Sequence, residues 1–118
     1  MGVDSINTRK NIVNTHRVCA GNIKAIFDFR MRLTDAQHYA ATNSTEDLKR
    51  MLKTMDFTDE EAKEATPVSA CNTTLSITPT VRTITSYGIA NFINFVLNGK
   101  LKRMIQLDPF NYLHDVFN

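Results

Sequence analysis

From residue 45 to residue 55 the apolar side chains Leu48, Met51, Leu52 and Met55 recur at i, i+3, i+4 and i+7, with Lys49, Arg50 and Lys53 on the other side. That is the period of an amphipathic α-helix, and Ser44 with Asp47 three residues later supplies an N-cap. The same reading gives a helix over 23–33, where Ile23, Ile26, Phe27 and Met31 share a face and Lys24, Asp28 and Arg32 do not. Residues 4–18 have apolar side chains only at Ile6, Ile12, Val13 and Val18, which predicts a marginal helix that needs tertiary support. Gly21-Asn22 breaks the chain after it. Thr34 with Gln37, and Thr58 with Glu61, repeat the capping-box pattern; the second opens a short acidic helix that Pro67 ends.

Farther on the pattern changes. Charges vanish between Val68 and Ile77, and Leu75 and Ile77 alternate with Ser76 and Thr78, the period of a half-buried strand. Thr78-Pro79 then reads as a cap followed by a helix start. The helix it opens, about 80–97, is apolar almost all round: Val81, Ile84, Ile89, Phe92, Ile93, Phe95, Val96 and Leu97. Such a helix is expected at the buried centre of its domain. Tyr87, Asn91, Asn94 and Asn98 line one of its edges, and Asn98-Gly99 stops it. KLKRMIQL predicts a short basic helix with Leu101, Met104 and Ile105 inward. Asp108-Pro109 predicts the start of a last helix, with Phe110, Leu113 and Phe117 at i, i+3 and i+7.

Together these elements predict a mainly α fold. It is a compact bundle of five to seven short helices around a buried central helix (about 80–97), with a small β element at 68–77, in a single domain spanning 1–118. Hydrophobic residues at 42% and charged residues at 22% suit a globular chain of 118 residues. A net charge of +2 is too small to announce a nucleic-acid partner, and the longest dense apolar stretch, IANFINFVL, is too short to span a bilayer, so no membrane partner is expected. The opening MGVDSINTRKN has no apolar core of an export signal, and two cysteines make no disulfide framework; the expectation is cytoplasmic.

Candidate chemistry changes little. His16 and Cys19 form one close ligand pair, and His38, Cys71 and His114 are the other soft ligands, whereas a structural zinc site takes four, as two close pairs. Nothing around Cys71 resembles the setting of a nucleophile. Glycines stand only at 2, 21, 88 and 99, so no phosphate-cradling loop can be written. The expectation is neither an enzyme nor a cofactor or metal protein.

His38-Tyr39-Ala40-Ala41 followed by Leu48, Met51 and Leu52 resembles one repeat of the ankyrin family. The resemblance covers residues 38–52 and implies a pair of antiparallel helices with a protein-binding surface. The function expected, by exclusion and from the Asn/Thr-rich composition, the many short capped helices and the aromatic terminal face, is that of a non-enzymatic interaction protein, binding another macromolecule or assembling with itself, in the manner of virus- or phage-type accessory and structural proteins. Its partner-binding residues would be Phe110, Tyr112, Leu113 and Phe117 with Tyr87, Asn91 and Asn94. The alternative is a nucleic-acid-binding protein using a helix-turn-helix-like segment at 34–55, with Lys49, Arg50 and Lys53 on its second helix.

Overall fold

The computed structural model describes residues 5–18, 23–58, 60, 61 and 78–118. Its elements run α1 (Ile6–Val18), β1 (Ala25–Met31), β2 (Ala36–Thr42), α2 (Thr45–Lys53), α3 (Thr78–Asn98), β3 (Met104–Asp108) and β4 (Leu113–Phe117). The four strands form one sheet in the order β1-β2-β3-β4, and each neighbouring pair is antiparallel. The fold is therefore α/β, with three helices and a four-stranded antiparallel sheet, and not a five-to-seven-helix bundle.

Four segments expected to be helical are strands, most of them for one physical reason. Pairing of Ile26 with Ala41 and of Asp28 with Tyr39 places these side chains on one face of the sheet, while Phe27, Phe29, Ala40 and His38 lie on the other. Helices cover both faces here, so apolar residues occur at odd and even positions alike. A short run of that kind reproduces helical spacing by coincidence. Residues 23–33 are the clearest case, and Thr34, expected to cap a helix, instead lies in the turn between β1 and β2. The basic segment KLKRMIQL carries β3, with Ile105 and Leu107 buried on alternate positions. The expected terminal helix is a hairpin. Asp108 accepts bonds from the backbone N–H groups of Phe110 and Asn111 (both 3.1 Å) and from the Asn111 side chain (2.7 Å), making a turn of the Asx kind. Tyr112 closes that turn with φ at 56°.

Two cores flank the sheet. On one face Ile6 and Val13 of α1 meet Ile26, Ala41, Leu48, Met51 and Met55. On this face too, Asp28 is fully buried between Arg9 (3.1 Å) and Arg30 (2.8 Å). Arg30 also donates to the Thr54 carbonyl and hydroxyl, both at 2.8 Å, and stacks over Tyr39. On the opposite face Ala36, Ile84, Ile105 and Leu107 pack with Phe29. Here α3 crosses β1, β2 and β3, burying Thr80, Ile84, Gly88 and Asn91. It is thus a covering layer, not a central axle, and its outer side faces outward.

Some expectations hold. Ser44 caps α2, its hydroxyl accepting from the Asp47 N–H at 3.2 Å. Thr58 and Glu61 exchange reciprocal bonds of 3.1 Å, and Gly99 ends α3 with φ at 68°. The β element expected at 68–77, like Pro67, Cys19 and Cys71, lies outside the described residues. No described helix is long and apolar enough to cross a membrane.

Candidate functional site

β4 is the last strand of the sheet, and all five of its residues, Leu-His-Asp-Val-Phe, are exposed. Register with β3 sets their directions. Leu113, Asp115 and Phe117 stand opposite Asp108, Gln106 and Met104, whereas His114 and Val116 stand opposite the buried Leu107 and Ile105. One hairpin surface thus carries Phe117, Leu113 and Met104 with two carboxylates, Asp115 between Leu113 and Phe117 and Asp108 at the turn. At the far edge of the sheet β1 is engaged by α1, whose Arg9 donates to the Phe29 carbonyl at 3.1 Å. Among the described residues nothing pairs with the outer edge of β4.

The structure divides the residues expected to bind a partner. Phe110 and Tyr112 are exposed in the hairpin turn, Tyr112 at 93%. Leu113 and Phe117 are exposed on β4, and the ring of Tyr87 on α3 lies 6.2 Å from that of His114. Four of these five therefore lie along the β3–β4 hairpin, and Tyr87 lies against the hairpin face opposite Leu113 and Phe117. Asn91 does not join them. It is buried, and its amide donates to the Lys102 carbonyl (2.9 Å) and accepts from the Lys102 N–H (2.9 Å) while also meeting His38. Its role is to hold the segment leading into β3. Asn94 is exposed on α3 without reaching the core.

Beside the hairpin a shallow depression of about 220 Å³ is lined by Asp35, Gln106, Asp108, His114 and Asp115. The bond from the Asn111 side chain holds the Asp108 carboxyl below its ordinary value. A second, of about 440 Å³, lies where α1 meets α2, with Lys10, Lys49 and Lys53 around Leu52 and Met55. Lys10 is committed to the Phe57 carbonyl at 3.1 Å, and Arg50 to Glu46 and Asp47. Residues 34–55 form a strand, a turn and one helix, so they do not make a helix-turn-helix. The helix pair implied by the ankyrin resemblance fails on the same ground, because His38-Tyr39-Ala40-Ala41 is part of β2. Among the described residues no group of three or more His, Cys, Asp or Glu is arranged to hold a metal ion.

Sequence reasoning missed one surface. Ile89, Phe92, Ile93, Val96 and Leu97 belong to the helix expected at the buried centre, yet all are exposed, Leu97 at 74%. Lack of charge made α3 look central, but helical spacing turns Ile89, Ile93, Val96 and Leu97 away from the buried Ile84, Gly88 and Asn91, while Phe92, half exposed, keeps one side of its ring against Phe27 at 5.5 Å. Comparison with known proteins brings no relative to either surface: no protein-family model matches the chain, and no curated protein or solved structure does.

Proposed function

We propose that this is a non-enzymatic interaction protein that receives an extended segment of a protein partner alongside β4. The observation that carries the reading is an edge strand exposed at every residue, three of whose five side chains are Leu113, Val116 and Phe117. An edge strand offers a row of backbone donors and acceptors, and proteins ordinarily blunt such edges with lysine, proline or a covering element. β4 has no lysine or proline. An added strand would take its affinity from main-chain bonds and its selectivity from the side chains it meets. Leu113 and Phe117 favour apolar side chains on one face, and Asp115 between them favours a basic residue or donor. His114 with Tyr87 supplies an aromatic wall on the other.

The test is selection of short peptides from a displayed library on the whole chain, followed by amide chemical-shift mapping. Enriched peptides are expected to be extended and apolar, to perturb β4 and its turn, and to lose binding on Phe117→Asp. Because Phe117 is half exposed, that variant should keep its circular-dichroism spectrum. Failure to enrich any peptide, or shifts confined to other elements, would refute the reading.

A further inference from the structure

The outer face of α3 has a regular relief. Ile89, Ile93 and Leu97 form one row at i, i+4 and i+8, and Phe92 and Val96 form a second row at i and i+4. All five are exposed. Rows of this kind are the i±4 ridges by which helices interlock, the ridge of one lying in the groove of the other at a crossing near −50°. The rows are centred on Ile93, with Ile89 four residues before it and Leu97 four after. A two-fold axis passing through the groove between the two rows, beside Ile93, sets Ile89 of one helix near Leu97 of its mate and lays each ridge in the groove of the other.

Charge and area agree. From Thr83 to Asn98 the helix has no charged residue, so two copies approach without like-charge repulsion and without desolvating an ion. Antiparallel pairing also opposes the two helix dipoles favourably. At about half exposure each, with on the order of 100 Å² per side chain, the five residues leave roughly 500 Å² uncovered. Doubled across the axis this is about 1,000 Å², the lower bound for specific association. A patch of that size is as large as the largest that monomers commonly carry, and such patches are often functional.

We infer that α3 is the seat of a second copy of this chain, two α3 helices packing antiparallel about a two-fold axis beside Ile93, so that the α3 pair lies between the two sheets. The interface is separate from β4, so each protomer keeps its open edge. Its modest area makes the dimer one that dissociates on dilution, with affinity of about micromolar order.

Sedimentation velocity across a concentration series of the whole chain tests this. Mass is expected to rise from 13.4 kDa towards twice that value as concentration increases. Ile93→Glu should remain monomeric throughout with an unchanged circular-dichroism spectrum, and it should still bind peptides selected on β4. In a background with Cys19 and Cys71 replaced by serine, Ile93→Cys should oxidise to a covalent dimer, while Tyr112→Cys should not. A wild-type chain that stays at 13.4 kDa, or a dimer untouched by Ile93→Glu, overturns the inference.

Discussion

His38 and Asn91, separated by 53 positions in the chain, meet at 3.1 Å between Nε2 and Nδ2 in the layer where α3 lies on the sheet. Because the Asn91 amide is oriented by its two bonds to Lys102, Nδ2 is the donor and Nε2 must accept. The His38 proton therefore sits on Nδ1, donated to the Asp28 carbonyl at 3.0 Å. Phe27 stacks on the ring at 5.9 Å between centroids, and Phe29 lies tilted against it at 4.6 Å. A neutral histidine of one tautomer thus links β1, β2 and α3, and through Asn91 the start of β3.

Truncating Asn91 should loosen that link. Asn91→Ala leaves the Lys102 N–H and carbonyl without their side-chain partner, a loss of about 1–3 kcal/mol. Urea unfolding measures it, and amide exchange should quicken at Lys102 and Arg103 before it does elsewhere. Stability within experimental error of the parent would show that the amide does not hold this segment.

Acid should destabilise the fold through His38. Burial pushes its pKa below the ordinary 6.5, more strongly than the bond to the Asp28 carbonyl and the Asp28 charge push it up. The unfolded chain then binds the proton before the folded chain does. This stabilisation is complete above pH 6.5 and is lost as pH falls below it. The urea midpoint should be flat above that point and decline beneath it, and His38→Gln, less stable throughout, should remove the decline in that window. A parent midpoint that stays level would contradict the assignment of a neutral imidazole.

Gly88 is where α3 comes nearest the sheet. A Cβ there would fall within the ring of Phe29 and 3.3 Å from His38 Nδ1. Gly88→Ala gains about 1 kcal/mol of helix propensity but costs about 3 kcal/mol in overpacking, for a net loss of about 2 kcal/mol. Phe29→Leu in the same chain should recover part of it. Equal stability of Gly88→Ala and the parent would mean that α3 does not approach this closely.

Asp47 joins three elements. Its carboxylate accepts from Arg103 (2.8 Å), the Thr42 hydroxyl (2.8 Å) and the Thr42 N–H (3.2 Å). Burial raises its pKa, but the bonds from Arg103 and Thr42 outweigh that and hold it below 3.8. The stabilisation is present above pH 3.8 and is lost as pH falls through the lower folded value, a window distinct from that of His38. Asp47→Asn should cost about 1–2 kcal/mol near neutrality, since Arg103 is partly exposed. The variant should also flatten the acid limb, and an unchanged limb would assign acid unfolding to other carboxylates.

What the sequence determined by itself is local. The Ser44 cap, the Thr58–Glu61 box and the stop at Gly99 all depend on groups within four residues of one another, so their chemistry is written in consecutive positions. The exposed aromatic end was also legible as Phe110, Tyr112, Leu113 and Phe117, although in a hairpin and not a helix. Only tertiary structure decided that 25–31, 36–42, 104–108 and 113–117 are strands. Their hydrogen bonds run to distant segments, and helices on both faces erase the alternation that would have marked most of them. The same holds for α3. Its pattern states how much apolar surface the helix carries, while the number of neighbours it meets decides how much is left uncovered.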